Sequence, residues 1–216
     1  IRINYARLIP SFMPMNKNQQ IIIKRHQSAF KQHGHHPNSL LWSGIKIQHL
    51  RFEKLTKIGI KSDESLLDVG CGFADLYFYL KQQQILTQYS GVDICPEFIN
   101  KAQSLYPNAN LSINDIFSLN PKDNEYDYLM LSGALNYVFE DANDYAKQSI
   151  EKMFSACKKG IAFNLLDRTD AWSDSREDLQ TYNKSEVESW VKNLTPNYQI
   201  LDDYLDNDFT VLAWKV

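Results

Sequence analysis

From about residue 62 onward, short apolar runs alternate with stretches whose apolar positions recur every three to four residues, the pattern of a sheet with crossover helices. Five runs read as strands: Leu66 to Val69, Tyr89 to Asp93, Leu111 to Ile113, Tyr126 to Ser132 and Ile161 to Leu166. They are rich in Leu, Ile, Val, Tyr and Phe and bounded by Gly, Asn, Asp or Lys. Ala142, Tyr145, Ala146, Ser149, Ile150, Met153, Phe154 and Cys157 recur at helical spacing, with Asp144, Lys147, Gln148, Glu151 and Lys152 opposite, so a helix is expected there. Lys158-Lys159-Gly160 would close it, cations near the negative end and glycine as the stop. Another helix is expected from Ser185, with Ser185 and Glu188 as a capping box and Val187, Trp190, Val191 and Leu194 as the buried stripe. Tyr198 to Leu205 and Phe209 to Lys215 flank the turn-type Asp206-Asn207-Asp208 and read as an antiparallel hairpin. The expected class is α/β, a mostly parallel sheet of seven strands ending in that hairpin.

Residues 1–60 differ, with no strand pattern before Leu66. Ile21 to Phe30 and Ser43 to Ile58 read as helices around the loop His33-Gly34-His35-His36-Pro37-Asn38. The expected division is an N-terminal helical cap over residues 1–60 and a sheet domain over 61–216. Arg51 shares a helical line with Ile47, Leu55 and Ile58, where it either snorkels or meets an anion. The chain opens without Met on Ile1-Arg2-Ile3-Asn4-Tyr5, so a short leader is expected to have been removed, and no secretory pattern is visible.

Composition narrows the field. Of 216 residues, 44% are hydrophobic, enough for a full core and against wholesale disorder. No apolar run approaches the roughly 18–20 residues that cross a bilayer, so no membrane partner is expected. The 23 basic and 26 acidic side chains give 23 − 26 = −3, with no dense Lys/Arg block, hence no evident nucleic-acid patch. Cys71, Cys95 and Cys157 are odd in number and widely spaced, which fits a reducing cytoplasm better than a disulfide framework or a zinc knuckle. His33, His35 and His36 lack a partner cluster at ligand spacing; they read as a solvated loop, and no metal is expected.

The stretch from Leu66 to Leu76 carries the most chemistry: a strand, the turn Gly70-Cys71-Gly72, then a helix. The glycines permit a tight turn and close backbone approach, and free amides at the helix start favour polar or anionic ligand atoms. The next strand ends at Asp93, 25 positions after Asp68, where a carboxylate can accept from a ribose diol. The third ends at Asp115, which either contacts a base or caps the helix that follows. Asp68, Asp93 and Asp115 thus sit at three successive strand ends of a nucleotide-cofactor edge.

Leu67-Asp68-Val69-Gly70-Cys71-Gly72 resembles the first motif of the class I S-adenosylmethionine-dependent methyltransferases, and Asp93, Asp115 and Ser132-Gly133-Ala134-Leu135-Asn136 fall where that family's later motifs fall. The likeness runs from about Ser62 to Val216. It implies a Rossmann-like three-layer sandwich, S-adenosylmethionine as cofactor and S-adenosylhomocysteine as product. By the same resemblance Gly70, Cys71 and Gly72 would pass under the methionine and ribose, and Asp68 would help hold the amino group. Asp93 would bind both ribose hydroxyls with Ile94 against the adenine. Asp115 would accept from the exocyclic amine beside Ile116, and Ser132-Gly133 would line the path to the methyl group. Arg51 would clamp the methionyl carboxylate from the cap. Ala74 replaces a glycine frequent in the family, and the Asn-Pro-Pro-aromatic motif for adenine or glutamine nitrogens is missing, so those substrates lose ground. The acceptor is expected to be a small molecule. A non-catalytic S-adenosylmethionine-binding module and a protein or RNA methyltransferase stay open beside it. A nicotinamide-binding domain would want glycine where Asp75 stands. No catalytic residue is assigned; Tyr137, His26 and His33 are positions from which a base could act.

Overall fold

The computed structural model describes residues 17–42 and 44–215. The expected leader at Ile1 to Tyr5, and Ser43 at the start of the second expected helix, lie outside the described residues. The elements are α1 (Lys17–His33), α2 (Ile45–Thr56), β1 (Ser65–Val69), α3 (Asp75–Gln82), β2 (Gln88–Asp93), α4 (Pro96–Leu105), β3 (Asn110–Ile113), α5 (Ile116–Leu119), β4 (Tyr126–Ser132), α6 (Ala142–Ala156), β5 (Cys157–Leu166), α7 (Ala171–Asp174), α8 (Lys184–Lys192), β6 (Tyr198–Leu201) and β7 (Asp208–Trp214). The strands form one seven-stranded sheet in the order β3-β2-β1-β4-β5-β7-β6. β7 runs antiparallel to both neighbours, and the other pairings are parallel. The chain winds outward from β1 to β3 and then crosses back to β4, so the carboxyl ends of β1 and β4 flank the switch point where open α/β sheets bind ligands.

Alternation along the strands builds two cores. Leu67, Val69, Leu129, Leu131, Ile161 and Phe163 face α6 and α8, while Leu66, Tyr128, Met130, Ala162 and Leu212 face the opposite side with Phe52 and Leu55 of α2 and Leu76 and Leu80 of α3. Each such fully buried side chain is worth roughly 1.5–3 kcal/mol. Of the two helices expected as a cap, α2 is packed on β4, β5 and β7, whereas α1 lies at the carboxyl edge of the sheet.

Two local expectations are corrected. Lys158-Lys159-Gly160 does not close α6: the helix ends at Ala156 and β5 begins directly at Cys157. Gly160 pairs with Tyr128 and Trp214, and a Cβ there would stand 2.6 Å from the Ala213 carbonyl oxygen, so close strand approach explains the glycine. At α8 the cap is Asn183, whose Oδ1 accepts from the Ser185 amide at 3.0 Å. Glu188 instead accepts from the Tyr198 hydroxyl at 2.7 Å and ties the helix to β6.

Candidate active site

The loop after β1 is fastened to β2 by its own backbone. The amides of Gly70 and Cys71 both donate to the Val92 carbonyl, at 2.8 and 2.9 Å, and the Gly72 amide donates to Asp93 Oδ2 at 2.9 Å. These three loop amides are thus spent on the neighbouring strand, while the helix start at Asp75 lies further on. Gly70 has φ +74°, and a Cβ on it would lie 2.3 Å from that of Ala134, so the turn and the close approach of the segment after β4 both require glycine. Ala74, where the family often has glycine, takes the same left-handed conformation at φ +59°.

The second oxygen of Asp93 accepts from the Cys95 amide at 2.8 Å, which closes the turn into α4. Burial raises the Asp93 carboxyl above its ordinary range, and the two amides and the nearby His26 oppose that rise. Asp68 is 2% exposed, and Oδ2 accepts from the Tyr89 hydroxyl at 2.6 Å. Burial pushes its carboxyl up to about 7 despite that hydrogen bond, with the charges of Asp93 and Asp75 adding to the rise. Asp115 caps α5, accepting from the Ser118 amide at 2.6 Å, and its other oxygen accepts from Gln19 of α1. Of its two expected settings, the helix cap is the one seen. The Cys71 thiol is buried and its pKa pushed well up by that burial, so it fills space in the loop and is not poised as a nucleophile.

These ends meet at one cavity of about 340 Å³, within the range of small-molecule sites. Asp68, Gly70, Cys71 and Gly72 line it from the first loop, Asp93 and Ile94 from the second strand end, Asp115 and Ile116 from the third, and Ser132 and Gly133 from the fourth. Ile22 and His26 of α1 and Leu40 complete the lining on the side of the N-terminal segment. Arg51 is not brought to this cavity. Its guanidinium is paired with the buried Asp208 carboxylate and stacked on Trp42, 4.4 Å from the ring centroid. The anion it meets is supplied by β7.

The sequence of residues 66–160 matches a family model described as a methyltransferase domain. Over these residues the chain is similar to methyltransferase domains. Among proteins, it is 27% identical over 157 residues, 70% of its length and 93% of the other's, to a Mycobacterium tuberculosis protein with the name "Putative methyltransferase Rv1506c". Among solved structures, it is similar to the Synechocystis PCC 6803 magnesium protoporphyrin IX methyltransferase with bound S-adenosylhomocysteine (TM-score 0.67, 12% identity, 92% of this chain and 100% of that one). It is also similar to an Archaeoglobus fulgidus S-adenosylmethionine-dependent methyltransferase (TM-score 0.63, 15% identity, 80% of this chain and 95% of that one). At these identities the two structures speak for the fold.

Several residues that hold the edge in place carried no motif. Asn164, fully buried in β5, accepts from the Gly133 amide at 3.0 Å and donates to Ser132 Oγ at 3.4 Å, which fixes the turn after β4. Its one sequence signal is an amide inside the apolar run Ile161 to Leu166. Gln48 of α2 donates to Asp75 at the start of α3 at 2.9 Å. Tyr137 and His26, far apart in sequence, are joined by a hydrogen bond between the phenol and Nε2. The histidine loop is put to structural use: His36 Nδ1 accepts from the Asn38 amide at 3.2 Å, and His35 lies 3.4 Å from Asp75.

Proposed function

We propose that S-adenosylmethionine occupies the 340 Å³ cavity and that its methyl group is transferred to a small-molecule acceptor. One observation carries this: the ends of β1, β2, β3 and β4, each with the residue types the cofactor needs, open onto the same cavity under α1. In this reading the ribose hydroxyls donate to Asp93, which still has lone pairs beyond the two used by Gly72 and Cys95. The adenine lies between Ile94 and Ile116 with its amine toward Asp115, and the methionyl part passes Gly70 to Gly72 toward Ser132 and Gly133. The carboxylates of Asp68, Asp93 and Asp115 also suit a ligand with a sulfonium charge. Bound there, the cofactor supplies an activated methyl carbon. The chain's own part is then alignment of the acceptor and exclusion of water, which α1 and Leu40 provide by covering the edge.

A small acceptor follows from that cover, and a cytoplasmic setting from three buried thiols without a disulfide among them. No described helix is long and apolar enough to cross a membrane. Residues 1–60 and 61–216 are proposed as cover and cofactor domain, with α2 serving the sheet. Calorimetric titration with S-adenosylmethionine and S-adenosylhomocysteine tests the proposal: both should bind at micromolar concentrations, and absence of heat with either would refute it.

A further inference from the structure

A second cavity of about 140 Å³ adjoins the first and shares Leu40, Trp42, Gly133 and Tyr137 with it. A cavity of about 150 Å³ is large enough to hold benzene. Its walls include Trp42, Leu179 and the half-exposed Trp172, so it is shaped for a ring. Two polar atoms among its lining residues, Arg51 Nε and Asn136 Oδ1, are buried without a hydrogen-bond partner, and Arg51 is 7% exposed.

Tyr137 stands where the two cavities meet, and the direction of its hydrogen bond is fixed by the far side of its partner. His26 Nδ1 lies 3.0 Å from the Ser39 carbonyl oxygen, which can only accept, so Nδ1 carries the proton. In the neutral ring Nε2 is then a bare acceptor, and the Tyr137 hydroxyl donates to it. His26 is 7% exposed, packed edge-on against Phe98 and Tyr137. Burial lowers its pKa, opposed by the Asp93 charge from the end of β2, with Arg25 of α1 lowering it further. Arg25 is itself paired with Asp178, and the other titratable group facing Tyr137 is Cys95. The imidazole is thereby kept in the form that can take a proton.

Resting on the methyltransferase reading above, we propose that the side cavity receives a ring-sized acceptor bearing a hydroxyl, and that Tyr137 and His26 form the relay that removes its proton. The acceptor oxygen attacks the methyl carbon, the carbon–sulfur bond breaks and its electron pair stays on sulfur. The acceptor proton passes to the Tyr137 oxygen while the Tyr137 proton passes to His26 Nε2. The products are the methyl ether, S-adenosylhomocysteine and the His26 imidazolium. Tyr137 is the catalytic residue and His26 the base behind it; Trp42, Leu179 and Trp172 hold the ring.

The test uses methyl-labelled S-adenosylmethionine with phenol and thiophenol as probes. Phenol should be methylated, with a loss of about 100-fold or more in Tyr137→Phe and in His26→Gln. Thiophenol, already ionised at pH 8, should react at rates that neither substitution changes more than about threefold, which also shows that the variants fold. Leu179→Trp, which fills the side cavity, should raise the phenol KM at least tenfold while S-adenosylhomocysteine affinity holds. Phenol turnover that survives Tyr137→Phe, a KM indifferent to Leu179→Trp, or a wild-type protein that binds S-adenosylhomocysteine yet methylates neither probe would each overturn the proposal. Failure to bind S-adenosylhomocysteine at all would instead refute the cofactor reading beneath it.

Discussion

The glycine edge and the helix that covers it are held by different kinds of contact. At the edge, the Gly70, Cys71 and Gly72 amides bond to β2, and the strands beneath are buried on both faces. In α1, of 17 residues, Ile23 and His26 are the buried side chains, and the polar ties are side-chain bonds such as Gln19 to Asp115 and the exposed Gln27 to Glu97 at 2.9 Å. Elements with few buried contacts open at low free-energy cost, so in the proposed reading the architecture combines a rigid ligand platform with a cover able to admit the ligand. Substitutions in the sheet should therefore register in folding, and substitutions in the cover in ligand behaviour.

The largest expected effect is at the sheet. Asp208→Ala strands the Arg51 guanidinium, 7% exposed, without its carboxylate, and should cost about 3–5 kcal/mol in denaturant unfolding. A loss below about 1 kcal/mol would show that Trp42 and solvent suffice to hold that arginine. Next comes Asp93→Ala, which removes the acceptor for two backbone amides and, in the proposed reading, for the ribose. Each charge-assisted bond is worth about 1.5–3 kcal/mol, so S-adenosylhomocysteine affinity should fall at least tenfold by calorimetry, and unchanged affinity would refute the assignment.

A pH effect of intermediate size separates the two regions without touching a contact in α1. Asp68 has its carboxyl raised from 3.8 to about 7 in the fold, so between those values the folded chain keeps a proton that the unfolded chain has released. Its contribution is present in full below about pH 4 and is lost as the pH rises through about 7, the sign required when the native state binds more protons. Asp208, raised by burial to about 6, acts in the same direction. Asp68→Asn should flatten the decline in thermal midpoint across that window, and an unaltered pH profile would remove Asp68 as its source. The smallest effect belongs to the cover: Gln27→Ala cuts an exposed bond and should change unfolding free energy by less than about 0.5 kcal/mol.

The same division decides what could be read from the sequence. β1, β2, β3 and β4 were legible to within a residue because apolar runs bounded by Gly, Asn and Asp leave few alternatives. The acids were legible because Asp68 and Asp93 fall in the last two residues of apolar strand runs and Asp115 just beyond one. The start of β5 was missed by four residues, since Lys158-Lys159-Gly160 has the chemistry of a helix stop and only strand pairing reveals its use. Arg51 was read as either snorkelling or meeting an anion, and the choice was not legible because Asp208 lies 157 positions away and only the hairpin brings it near. His26 and Tyr137 were named only as separate positions, because their pairing spans 111 positions and has no periodic signature.

Hydrogen exchange with and without S-adenosylhomocysteine tests the central claim most directly, because it reports both regions at once. The account predicts ligand-induced protection in residues 70–75, at the end of β2 around 93–95, and throughout α1, which should exchange much faster than β1 and β4 in the absence of ligand. Binding that leaves α1 and the Gly70–Gly72 loop unprotected, or protects the β6–β7 hairpin in their place, would contradict it.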